Sequence, residues 1–174
     1  MPENEILPGL PYATPRLTQC PPPLQDLGEP NPGNLLYGLT LPSAIASPAV
    51  AREAAEVILD VHGVADALID PALHLVRELV GYACRFTGAG EQVRLSLRHD
   101  LGGALRITVH DTHAAHAHPR LAEVCDGRRL DALDGVPGLV ESHRGGWGFT
   151  SARHPGAGTR TWATLVHSPR RWAA

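Results

Sequence analysis

Two stretches alternate apolar and polar residues with a period of two. Val93, Leu95 and Leu97 interleave with Arg94, Ser96 and Arg98, and Leu105, Ile107 and Val109 interleave with Arg106, Thr108 and His110. Asp100-Leu101-Gly102-Gly103 between them is turn chemistry, so the pattern predicts a hairpin with one buried and one polar face. Two earlier stretches repeat at helical spacing instead. Ser47-Pro48 opens the first by cap-plus-proline logic, with Val50, Ala54, Val57, Ile58 and Val61 as its apolar stripe and Gly63 as its stop. Asp70 and Pro71 open the second, which runs to about Gly88. Its core stripe is Ala72, Leu75, Val76, Leu79, Ala83 and Phe86, and His74, Glu78, Tyr82 and Arg85 line up on another face. Such a helix serves either as a pocket wall or as an ordinary amphipathic element.

Residues 35–41 read as a first strand on a sheet edge. Residues 111–119 show no periodicity, and residues 121–145 are helix-like but broken by glycines and Pro137. A strand over 147–153, a turn over 154–158 and a strand over 159–166 complete the order. Strand runs beside helices predict an α+β two-layer sandwich, with helices on one face of a mixed, mostly antiparallel sheet.

Composition narrows this picture. The chain has 174 residues, 43% of them hydrophobic, enough for one domain with a real core. No apolar run approaches the roughly 20 residues of a spanning helix, and the start lacks signal-peptide features, so a cytoplasmic protein without membrane contact is expected. Three scattered cysteines, Cys20, Cys84 and Cys125, argue against a disulfide framework. Net charge is −3, with no long run of one sign, so no general nucleic-acid surface is indicated. All 15 basic residues are arginine, which excludes a P-loop lysine and pyridoxal phosphate chemistry. Residues 1–34 hold nine of the 16 prolines and are expected to form a tail or a docking arm, ahead of a domain over 35–168 and a short tail over 169–174.

Several short motifs stand in a familiar order. Arg77-Glu78-Leu79-Val80 lies on the second helix, Val109-His110-Asp111 closes a strand, and Gly158-Thr159 precedes the last strand. Over residues 40–166 the chain resembles the GHKL superfamily of histidine-kinase-like ATP-binding domains. Within it, the chain looks like the small bacterial anti-sigma-factor serine kinases. The resemblance implies ATP as cofactor, with Glu78 as the catalytic base and Tyr82 at the position where the family has an asparagine holding Mg²⁺. Asp111 would accept the adenine amino group, and Thr159 would help to bind adenine. Backbone at Gly135 and Gly138 would face the phosphates. The chain departs from the family's pattern at Tyr82, at His113 and Ala115 in place of two glycines, and at Pro137 in the glycine-rich lid. A phenol is a poor ligand for a hard cation, so the expected phosphoryl transfer to a partner's serine is weak or absent. The implied partner is a sigma factor or its antagonist, with a second copy of the chain as another. A non-catalytic interaction module on the same fold is the alternative.

His110, His113, His116 and His118 fall within nine residues, with Cys125 downstream. Imidazoles are common transition-metal ligands, but the spacing matches no closed zinc pattern. The cluster reads as a polar lid, with a metal- or pH-responsive loop as the third functional alternative. Ser142 and His143 are expected to diverge as helical neighbours, and Gly-x-Ser-x-Gly is absent, so a serine hydrolase is not indicated.

Overall fold

A computed structural model describes residues 28–100, 103–151 and 158–167. Of the expected tail over residues 1–34, residues 1–27 lie outside the described residues, as does the expected tail over 169–174. Two helices, α1 (Ser47–Val61) and α2 (Asp66–Arg85), and two more, α3 (Pro119–Ala132) and α4 (Val136–Ser142), accompany five strands. The strands are β1 (Leu36–Pro42), β2 (Gln92–His99), β3 (Ala104–Asp111), β4 (Trp147–Ser151) and β5 (Thr159–Val166). They form one sheet in the order β1-β2-β3-β5-β4, and every pairing is antiparallel. The helices pack on one face, giving the α+β two-layer sandwich that the pattern predicts.

The period-two stretches behave as their alternation requires. Leu95 faces Val109 and Leu97 faces Ile107 across the hairpin, and all four are buried. Ala163 and Leu165 of β5 continue the same inner face, which α2 covers with Leu75, Val76, Leu79 and Val80.

The outer face of the sheet is basic. Arg98 pairs directly with Arg106, and Arg94 faces His110, which faces Arg160 on the far side. Like charges placed opposite one another destabilise a sheet. Arg106 relieves part of this by lying over the Trp162 ring, 4.6 Å from its centre, and Arg98 pairs with Asp100 at 2.6 Å.

Both leading helices differ from expectation at their ends. Ser47 is the first residue of α1 rather than its cap, and its hydroxyl donates to the Pro42 carbonyl at 2.6 Å. Helix α2 starts one turn earlier than expected, at Asp66, so Pro71 lies inside it. The second turn of a helix already asks residue 71 for an N–H that proline lacks, and burial of Leu68, Ala72 and Leu73 overrides that cost. The stripe of α1 is also rotated from the expected one. Ala51, Ala55 and Leu59 are buried, whereas Val50, Val57 and Val61 are exposed. Alanines allow close approach to α2, where the α1 residue Pro48 passes Gly81.

Residues 121–145 hold two helices, because Gly127 sits within α3 and the break falls at Leu133–Gly135. The body begins before residue 35. A 3-10 turn over Pro32–Asn34 is fixed by His62, whose Nδ1–H donates to the Asn31 carbonyl at 2.8 Å. A carbonyl can only accept, so in the neutral ring Nε2 is the acceptor of the Tyr37 hydroxyl proton, at 3.0 Å.

Candidate functional site

The end of β3 delivers Asp111 to the interior, on the same side as Leu105, Ile107 and Val109. Position 82 of α2 also faces inward. Tyr82 is 1% exposed, so the polar line expected on that helix is split, with Tyr82 in the core and His74 and Arg85 in solvent. Between Asp111 and Tyr82 stands a residue that sequence reasoning did not single out, Arg129 of α3.

Arg129 is 1% exposed and ties the two together. Nη1 donates to Asp111 Oδ2 at 2.8 Å and also to the Tyr82 hydroxyl, and Nη2 donates to Asp111 Oδ1 at 3.2 Å. The guanidinium lies 4.3 Å from the centre of the Phe86 ring. Thr161 Oγ1 donates to the Tyr82 oxygen at 3.2 Å, and the backbone N–H of His113 donates to Asp111 Oδ1 at 3.0 Å. A buried charge is tolerable only when paired and hydrogen-bonded, and this network meets that condition. No buried side-chain polar atom among the described residues lacks a partner.

The electrostatics follow from this packing. Burial pulls the Arg129 guanidinium down, but the hydrogen bond and charge of Asp111, with Tyr82, outweigh it and hold the group above its ordinary value. Burial pushes the Tyr82 phenol up, against the opposing hydrogen bonds from Thr161 and Arg129. Burial, then Arg129 and His116, hold the His113 imidazole below its ordinary value. On the outer face, burial and then Arg160 and Arg94 do the same to His110.

The expected nucleotide residues are partly assembled. Asp111 and Thr159 are direct cross-strand partners, both buried, and Thr159 Oγ1 donates to the His113 carbonyl at 3.5 Å. Gly158 makes this contact possible. It has φ +71°, and a Cβ there would stand 1.8 Å from the Asp111 carbonyl oxygen. Tyr82 joins them through Arg129. Glu78 does not; it borders a separate groove between α1 and α2, of about 340 Å³, together with Pro48, Arg52 and Arg85. Gly135 precedes α4 and Gly138 lies within it, and a Cβ at either would meet no neighbour within 4 Å.

Ser142 and His143 are closer than expected. α4 ends at Ser142, and the cap geometry of His143 brings its Nδ1 to 2.9 Å from Ser142 Oγ. Both groups also reach the Leu139 carbonyl, at 2.8 and 2.9 Å, so hydroxyl and imidazole serve as donors that close the helix end.

The histidine loop divides. His110 lies on the outer sheet face, and His118 is the exposed residue ahead of α3. His113 and His116 turn towards each other, with Nε2 atoms 3.1 Å apart. Arg129, and which of the histidines Cys125 meets, were not legible, since both depend on where α3 docks; Thr161 depends on how α2 lies over β5. No protein-family model matches the chain, and no curated protein matches it.

Proposed function

We propose that this chain is a non-catalytic regulatory module of histidine-kinase-like ATPase type, which acts by binding a protein partner in the cytoplasm. The observation that carries this reading is Arg129. Its guanidinium engages Asp111 and Tyr82, the two positions where the family resemblance puts the adenine acceptor and the Mg²⁺ ligand. A nucleotide would have to displace a buried, hydrogen-bonded ion pair. Breaking such a pair costs about 3–5 kcal/mol, which is roughly a hundredfold to a few thousandfold in affinity. Glu78, the implied base, borders a different groove.

The partner reading draws on the basic outer face of the sheet, which carries Arg94, Arg98, Arg106 and Arg160, with Arg106 lying over Trp162. That face fits an acidic protein segment, and the resemblance supplies the class of partner: a sigma factor or its antagonist. A second reading, retained ATP binding with weak phosphoryl transfer, draws support from the Asp111–Thr159 pairing.

One titration separates the two. Calorimetry with ATP, with and without Mg²⁺, is expected to give no binding to the wild type. Mg²⁺-dependent binding, or transfer of labelled phosphate to a partner serine, would overturn the proposal. The pair Tyr82→Asn and Arg129→Ala, made together, is the matching gain-of-function variant. Partner capture is expected to survive Glu78→Ala and to be lost in Arg94→Glu with Arg160→Glu.

A further inference from the structure

The loop between β3 and α3 brings two imidazoles and a thiol to one point. The ring nitrogens of His113 and His116 and the Sγ of Cys125 all lie within 4.8 Å of one another. The two Nε2 atoms are 3.1 Å apart, with the rings inclined at 70°. A tetrahedral zinc centre has bonds of about 2.0–2.1 Å to nitrogen and about 2.3 Å to sulfur, which sets its ligand atoms roughly 3.3–3.7 Å apart. The three donors are therefore within small side-chain rotations of that spacing.

The side chains leave room for an ion between them. A cavity of about 50 Å³ opens between these side chains and is bordered also by Asp126, Arg129 and Thr159. That volume holds an ion and a water. The His113 backbone is fixed by its hydrogen bond to Asp111, and Cys125 stands one turn before the anchored Arg129 on α3. Two of the three donors thus sit on restrained backbone.

We propose that His113, His116 and Cys125 form a transition-metal site, with Zn²⁺ the ion that its donor set fits. Two imidazoles and one thiolate suit a borderline ion and reject Mg²⁺ and Ca²⁺, which take oxygen ligands. A water completes the tetrahedron. On binding, Cys125 gives up its thiol proton to solvent and the sulfur–metal bond forms, with no change of oxidation state. The metal joins residues 113–116 to α3, adding a second anchor beside Arg129. The inference does not depend on whether nucleotide binds.

The test uses the untagged full-length chain. Zn²⁺ is expected to bind at one per chain in competition with a chromophoric chelator of micromolar affinity. Co²⁺ is expected to give the visible bands of a four-coordinate ion and a thiolate-to-cobalt charge-transfer band. Cys125→Ser should abolish the charge-transfer band, and His116→Ala, at an exposed position, should weaken Zn²⁺ binding at least about tenfold. His110→Ala, His118→Ala and Cys84→Ser should change neither. Failure to compete with the chelator overturns the proposal. So does binding that survives Cys125→Ser and His116→Ala, or that depends on His110 or His118.

Discussion

Arg129 Nη1 lies 2.8 Å from Asp111 Oδ2, and both side chains are buried. Arg129 is the one buried residue of α3, a helix whose Leu121, Val124 and Leu130 are all exposed. An apolar stripe does not dock this helix; a charge does.

Removing that charge should therefore act on both stability and α3. Arg129→Met leaves a buried carboxylate without its partner, at an expected cost of about 3–5 kcal/mol in urea unfolding. Adding Asp111→Asn should recover much of the loss, because the uncompensated charge is gone. Amide hydrogen exchange across residues 119–132 should rise in Arg129→Met more than exchange in β2 and β3.

Gly158→Ala should destabilise by about 1–3 kcal/mol or more, since it combines a left-handed backbone with a clash against the Asp111 carbonyl. Gly145→Ala should behave alike for a different reason. Its Cβ would stand 1.7 Å from the Thr164 carbonyl oxygen. Urea midpoints of the two variants check both, with Gly138→Ala, a helical position where nothing is met, as the control that does not destabilise.

The Tyr82 phenol, raised above its ordinary value of 10.0 by burial, gives alkaline stability a definite sign. The unfolded chain releases the phenolic proton first as pH rises, so the folded state binds more protons above about pH 10. The stabilisation is full below the unfolded value and is lost as pH rises through the folded one. Urea unfolding between about pH 9 and pH 11 should show this slope in the wild type and a shallower one in Tyr82→Phe.

The register of α1 can be read from two substitutions. Val57, 63% exposed, should accept asparagine with a change under about 0.5 kcal/mol. Ala55, fully buried, should lose about 1–3 kcal/mol on change to leucine through overpacking. The reverse order would restore the stripe of Val50, Val57 and Val61 to the core.

These residues also mark what the sequence made legible. The β2–β3 hairpin and β5 were readable because one buried face leaves a strict alternation. α1 was readable as a helix but not as a face, because apolar residues occur on two sides of it and small alanines, not valines, allow contact with α2. The start of α2 was hidden by Pro71, whose local preference yields to burial of the turn before it. At the candidate site, Asp111, Thr159 and Tyr82 were legible through the order of motifs. Arg129 was not, since an arginine in a polar helix carries no local sign that a carboxylate 18 residues earlier will meet it. Cys125 stood out beside the histidines, but that it meets His113 and His116 and not His110 or His118 was hidden for the same reason.

The outer sheet face makes the protein a dipole. Its net charge is −3, yet Arg94, Arg98, Arg106 and Arg160 share one side, so the remaining surface is more acidic than the total suggests. In low salt the molecule should be retained on cation as well as anion exchangers at the same neutral pH. An acidic partner would turn it sheet-first before contact, raising the association rate in a way that added salt removes.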